Sequence, residues 1–198
     1  NNLSEITLAQ YMKYNKLIET NKDDINSDSF VSLKMLEIFC HVPYDKAVAL
    51  KIKDVTNIVK ILTDTINSQP ELVHRFSMGG VDFGFIPKLE DMSFGEYIDL
   101  DMHLGDWDNM HKAMAVLYRP IEQKVGAKYR LKPYDAGVYD ELMVNMPMDA
   151  VVGSLVFFYR LGIELSKGIV NYLETQEKGI IQDFNHSQVN GVGINRFT

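Results

Sequence analysis

Cysteine is almost missing from this chain of 198 residues, which contains one, Cys40. A single thiol excludes an internal disulfide and a zinc site built from cysteines. Cys40 lies in an apolar run with Leu36 and Phe39. This setting predicts a buried and unreactive thiol.

Positive charge is also scarce, since 20 lysines and arginines stand against 27 carboxylates and the formal net charge is −7. A general nucleic-acid binder needs a basic face to neutralise phosphates, so the composition makes this role unlikely. One local basic run, from Lys124 to Lys132 with Tyr129 and Tyr134 nearby, keeps an RNA or DNA contact open. A solvated loop, or one that pairs with acids on a neighbouring chain, is the alternative that we favour.

Long hydrophobic runs are absent. The most apolar window, Ala150 to Leu165, contains Arg160 and Glu164. A membrane span needs about 20 apolar residues, so this window predicts a helix buried in protein. The first twenty residues have no continuous apolar core, which argues against a signal peptide. We therefore expect no membrane contact.

Catalytic signatures are missing as well: no Gly-x-Ser-x-Gly elbow and no phosphate loop are found. The segment from Glu90 to Asp108 is acidic, and Asp108 and His111 share one helix face. Carboxylate-bridged metal sites in helical bundles need such a pair in duplicate, and no second copy exists. We favour a solvated acidic face over a metal-dependent enzyme, and we expect no catalysis, no cofactor and no metal.

What the sequence does contain is helical periodicity in its first seventy residues. Helices are predicted over 7–21, 27–40, 44–50 and 54–66, the first capped by Thr7 and the last by Asp54. Short polar loops between them are typical of packed antiparallel helices. Residues 1–70 are therefore interpreted as a helical subdomain.

The period changes after residue 70. Leu72 to Met78 and Val81 to Ile86 predict two strands around a Gly79-Gly80 turn. Ser93 and Glu96 have the spacing of a capping box, in which the hydroxyl accepts from a helix N–H and the glutamate bonds back to the cap. Asp106 or Asp108 is expected to start the next helix, and Pro120 to end it. Residues 122–133 are interpreted as a loop or a short strand.

Residues 138–146 predict a short helix, and Pro147 is expected to open a long one that reaches about Lys178. Glycines 153, 162 and 168 interrupt this helix and predict close backbone packing or a break. Arg160 and Glu164 are spaced to pair, and a charge buried in an apolar helix needs a partner. The hairpin, the central helices and the long helix together are interpreted as a second subdomain, residues 71–178.

Residues 179–198 show no period and predict an extended tail. Its apolar residues are expected to contact a neighbouring subunit or another partner: Ile180, Ile181, Phe184, Val189, Val192, Ile194 and Phe197. The chain also has ten methionines. They favour core packing, with an adaptable partner groove as the alternative.

The run from Phe83 to Pro120, with its FGFIPKLEDMSFGEYIDLD segment and its helix ending in LYRP, resembles uncharacterised proteins of tailed bacteriophages. Tyr134 and the later LVFFYRLGIEL belong to the same pattern. The resemblance implies a virion structural or tail-assembly role, in many copies, among other phage structural proteins. It also implies a location in the virion, or in the host cytoplasm during assembly. An assembly chaperone that leaves the particle is the alternative.

The expected fold class is mainly α: a helical bundle with one short β-hairpin and an extended C-terminal tail. Ser93, Glu96, Pro120, Arg160 and Glu164 are expected to be structural.

Overall fold

The computed structural model describes residues 2–22, 27–126 and 128–189, with the side chains of Ser27 and of residues 174–189 outside the description. The chain divides into two units, Asn1–Val156 and Phe157–Thr198. The predicted subdomain boundaries after residues 70 and 178 stay predictions.

The first unit begins with a 3-10 turn and four helices: Leu3–Glu5, then α1 (Leu8–Thr20), α2 (Ser27–Cys40), α3 (Tyr44–Val48) and α4 (Ile52–Ile66). Thr7 caps α1 as predicted: its hydroxyl oxygen accepts from the Gln10 N–H at 3.3 Å. The Thr7 N–H donates to Gln10 Oε1 at 2.9 Å. Asp54 was expected to cap α4, but Lys51 is its N-cap. Asp54 lies in the first turn, where a carboxylate favours the helix dipole.

One antiparallel sheet follows in the order β1–β2–β3–β4, with strands Arg75–Met78, Val81–Phe85, Tyr118–Val125 and Lys128–Leu131. The Gly79-Gly80 hairpin is confirmed, and both glycines have positive φ, 59° and 77°. The expectation of a bundle with a single hairpin is wrong, because the fold is mixed and β3 and β4 extend the sheet. The charges of residues 122–132 hide the apolar alternation that indicates a strand. Cross-strand pairing decides the structure here instead.

Between β2 and β3 lie a 3-10 turn (Leu89–Asp91), α5 (Phe94–His103) and α6 (Met110–Leu117). Asn109 is the N-cap of α6, so the expected start at Asp106 or Asp108 is wrong. The Asp106 carboxylate accepts instead from the Asp108 N–H at 3.0 Å and from Asn109 Nδ2 at 2.7 Å. The helix ends at Leu117, and Pro120 lies within β3 opposite Phe83.

The core of the first unit lies against one face of the sheet. Seven of the eight residues of α6 are buried. Phe76 stacks on Phe83 with 5.6 Å between ring centroids, and Tyr118 lies 5.2 Å from Phe76. The core interpretation of the methionines fits five fully buried ones: Met110, Met114, Met143, Met146 and Met148.

Two further helices follow in the described residues, α7 (Asp140–Met143) and α8 (Met148–Val189). Gly153 confirms the expected close backbone contact, since a Cβ there would lie 2.6 Å from the Glu71 carbonyl oxygen. Arg160 and Glu164 are exposed, so the premise that they are buried charges is wrong.

Residues 179–189 are helical, so the expectation of an extended tail is wrong for these residues. No proline follows Pro147, and extending an existing helix costs little per residue. None of the described helices is both long enough and apolar enough to cross a membrane.

Candidate functional site

The N-terminus of α5 is fixed by the predicted capping box. The Ser93 N–H donates to Glu96 Oε2 at 2.6 Å, and the Glu96 N–H donates to Ser93 Oγ at 3.3 Å. Glu96 is buried. Buried carboxylates need further partners, and Glu96 obtains one from the sheet.

That partner is Arg119 of β3, whose Nη1 lies 2.8 Å from Glu96 Oε1. The Arg119 side chain is only 14% exposed and that of Glu96 only 7%. Removing one member of a buried pair leaves the other charge uncompensated. Glu96 therefore both caps α5 and ties it to the sheet. The sequence predicted the cap but not the ion pair, because nothing local relates Glu96 to a distant arginine.

The face of the sheet that carries Arg119 has a row of cross-strand neighbours. Arg75, Gly84 and Arg119 stand side by side on β1, β2 and β3. The ring of Tyr129, from β4, lies over Gly84, where an added Cβ would be 2.6 Å from Tyr129 Cε2. A glycine is needed here for close approach and not for backbone freedom.

Tyr129 is held in this position by its hydroxyl, which donates to the Phe85 carbonyl at 2.6 Å. The Arg75 guanidinium lies 6.0 Å from the ring centroid, a cation–π distance. Burial raises the pKa of Tyr129, and the positive charge of Arg75 opposes that shift. The neutral phenol ring of Tyr129 therefore forms one wall of the site, next to the positive charge of Arg75.

Beside this wall is a cleft of ≈ 650 Å³, which we call the basic cleft, lined by His74, Arg75, Pro87, Lys88, Lys128 and Tyr129. Its size is that of a typical ligand or side-chain pocket. Within the described ranges, no carboxylate forms an ion pair with Arg75, Lys88 or Lys128. The cleft is thus locally positive on an acidic protein.

The predicted basic run contributes only part of this cleft. Lys128 lines it, whereas Arg130 is paired with Glu122 at 2.9 Å. His74, Arg75 and Lys88 come from other segments, and the sequence analysis did not single them out. They come together because β1 pairs with β2 and because the Tyr129 ring, from β4, lies over Gly84 of β2.

A second surface lies on the opposite side of α5 from Glu96. Its exposed residues, which we call the α5 outer face, are Phe94, Tyr97, Ile98 and Met102. Phe94 is 77% and Met102 65% exposed. Glu90, Asp91 and Asp101 are exposed nearby in the sequence. The Asp99 carboxylate, by contrast, has a partner within the chain, because it accepts a hydrogen bond from the Tyr134 hydroxyl at 2.8 Å.

The second unit has an apolar helix face of its own. Phe158, Gly162, Leu165, Ile169 and Tyr172 follow a 4-3-4-3 spacing on α8, and we call this row the α8 seam. Leu165 and Ile169 are each 60% exposed. The opposite side of the helix carries Arg160 and Lys167. Such alternation is the pattern of helices that pack on other helices.

The remaining predicted sites are dispersed. In the described part of the chain, no three His, Cys, Asp or Glu side chains converge as a metal site. His111 is buried within α6, and Asp108 is exposed. Cys40 is half-buried, and burial raises the pKa of its thiol.

The predicted partner-binding residues of the tail fall outside the described side chains. Only the helical backbone is described for Ile180, Ile181, Phe184 and Val189. Val192, Ile194 and Phe197 lie outside the described residues altogether. Their proposed contact with a partner stays a prediction.

Comparisons of the chain with protein-family models, with curated proteins and with solved structures find no match.

Proposed function

We propose that this chain is a bacteriophage virion structural or tail-assembly protein that acts in several copies through protein–protein contacts. The observation that carries the proposal is the exposure of Leu165 and Ile169 within the α8 seam. Large apolar side chains at heptad spacing are costly in water, since each loses roughly 1.5–3 kcal/mol of burial free energy. A surface of this kind is characteristic of a helix that packs against a partner.

The occupant that we assign to the seam is α8 of a second copy. A seam with alternating steps of three and four residues fits an identical seam, and a second copy supplies one in register. Further exposed apolar residues, Ile163, Val170 and Leu173, widen the stripe beyond the seam. A wide stripe favours a bundle of more than two helices. Arg160 and Lys167, on the far side, remain in water.

The resemblance of residues 83–165 to tailed-phage proteins supports the same role, because such proteins work as repeated copies.

The test is the molar mass in solution, measured by light scattering over a range of concentrations. Wild-type protein should form an oligomer whose molar mass Ile169→Glu reduces, because a carboxylate on the seam would be buried without a partner. Lys167→Glu is the matched control on the opposite side of α8 and should leave the oligomer intact. A wild-type protein that is monomeric throughout contradicts the proposal, as does an oligomer that Ile169→Glu does not change.

Mass spectrometry of purified phage particles then separates the two assembly roles. Stoichiometric retention in the particle is expected of a structural protein. An oligomeric protein that the particles lack fits the alternative, a tail-assembly chaperone that is released.

A further inference from the structure

We propose that the α5 outer face of one copy docks into the basic cleft of a second copy, which makes a head-to-tail contact. This inference deepens the proposed assembly role and rests on it. It uses surfaces of the first unit alone and does not involve α8.

The cleft provides the concave, positive half of the contact. Lys88 and Lys128 are exposed lysines at its rim, and Arg75 is held against the Tyr129 ring. The planar guanidinium of an arginine loses little freedom for each hydrogen bond that it forms with a carboxylate. Pro87 and Tyr129 add apolar walls between the cations. A partner for this cleft must therefore carry both carboxylates and apolar side chains.

The α5 outer face provides a convex half with that chemistry. Phe94 and Tyr97 stack with 6.5 Å between centroids and form one aromatic projection. Aromatic residues of this kind are the usual anchors of protein interfaces. Glu90, Asp91 and Asp101 are exposed and form no ion pair within the part of the chain that the structure describes.

Charge complementarity selects a second copy over nucleic acid. Within the described residues, Arg75, Lys88 and Lys128 form no ion pair with a carboxylate, and the exposed acids Glu90, Asp91 and Asp101 form none with a cation. A long polyanion would instead meet a protein with a net charge of −7, which repels it outside the cleft. A short acidic and aromatic helix face meets the cations without that repulsion.

The two halves are different surfaces, so the contact is heterologous. Each copy that fills a cleft leaves its own cleft open for the next. Heterologous contacts generate rings where the rotation closes and filaments where it does not. Either outcome fits an assembly of many copies.

The experiment uses full-length chains that all carry Ile169→Glu, so that the α8 contact is removed. The cleft variant adds Lys88→Glu and Lys128→Glu, and the face variant adds Phe94→Ser and Asp101→Lys. All four side chains are exposed, so circular dichroism melting should match that of the parent. The control adds Lys53→Glu and Lys60→Glu, the same charge change on exposed positions of α4.

Sedimentation velocity should show concentration-dependent association of the parent and of the control. The cleft variant and the face variant should each be monomeric. An equimolar mixture of the two should give a one-to-one dimer that does not grow, because only one intact cleft and one intact face can meet. This rescue by mixing is specific to a head-to-tail contact.

Three results would overturn the inference. A parent that is monomeric leaves the α8 proposal intact and removes this one. A mixture that stays monomeric excludes the head-to-tail geometry. Binding of a labelled single-stranded DNA oligonucleotide that Lys88→Glu with Lys128→Glu abolishes, without any effect on association, would assign the cleft to nucleic acid.

Discussion

Helix α6 and the later part of α8 are both rich in apolar residues, and they have opposite surroundings. Seven of eight residues of α6 are buried. Leu165 and Ile169 of α8 are mostly exposed. The sequence predicted a helix buried in protein for the window of α8 that ends at Leu165. Apolar periodicity shows that a face needs to be covered, but it does not say which chain covers it.

The difference follows from what lies beside each helix in its own unit. Helix α6 packs on α5 and α7, and it leads directly into β3. The described part of the second unit consists of α8 alone. A single helix has no element of its own unit on which to bury a wide apolar stripe. Within the described residues, the second unit therefore presents an apolar surface, while the first unit contains a core.

The largest effect expected from this comparison concerns Leu117 of α6. Leu117→Ala should reduce the free energy of unfolding by about 2–5 kcal/mol, because it leaves a cavity at a fully buried position. Leu165→Ala is the matched truncation in α8 and should change the stability of the dilute monomer by about 0.5 kcal/mol or less. Chemical denaturation at low concentration measures both. Equal losses would show that α8 is covered by its own chain.

The buried ion pair gives an effect of comparable size. Glu96→Gln should cost about 3–5 kcal/mol, because it leaves the Arg119 guanidinium buried without a counter-charge. Glu122→Gln breaks the exposed pair with Arg130 and should cost about 0–1 kcal/mol. Urea denaturation of the two variants tests the contrast. A Glu96→Gln protein as stable as the Glu122→Gln protein would mean that the pair does not hold α5 to the sheet.

Two glycines of α8 show the same contrast between a packed position and an exposed one. Gly153→Ala places a Cβ against the Glu71 backbone and should cost about 1–3 kcal/mol. Gly168 has nothing within 4 Å of an added Cβ. Gly168→Ala should therefore stabilise the helix by up to about 1 kcal/mol. Thermal midpoints that shift in the same direction for both would contradict the packing at Gly153.

The smallest effect is expected at the cap. Ser93→Ala removes the hydroxyl that accepts from the Glu96 N–H and should cost roughly 0.5–2 kcal/mol. Association should be unchanged, because Ser93 is not part of the α5 outer face. A loss of association with no loss of stability would give Ser93 a role in binding that we do not assign to it.

Local signals were enough to predict much of this fold. The capping residues Thr7 and Ser93 and the Gly79-Gly80 hairpin each rest on neighbours within a few residues, and each prediction is confirmed. Residues 122–133 were interpreted only as a loop or a short strand, because lysines and arginines line β3 and β4 and the order of these strands depends on pairing with β2. The basic cleft was harder still to predict, since Arg75, Lys88 and Tyr129 come together only after the sheet forms.

Charges misled the sequence analysis in one further place. Arg160 and Glu164 lie in the most apolar window of the chain, which suggested a buried pair. In the structure both are exposed. Their position opposite the α8 seam is where a bundle helix keeps its charges.

Amide hydrogen exchange, measured by mass spectrometry at low and high protein concentration, tests the central claim most directly. Peptides from α6 report burial within the first unit, and peptides over residues 158–173 report the α8 seam. The exchange of α6 should be slow and independent of concentration, whereas that of the seam should slow markedly as concentration rises. Seam protection that is the same at both concentrations would contradict the claim that other copies of the chain cover this face.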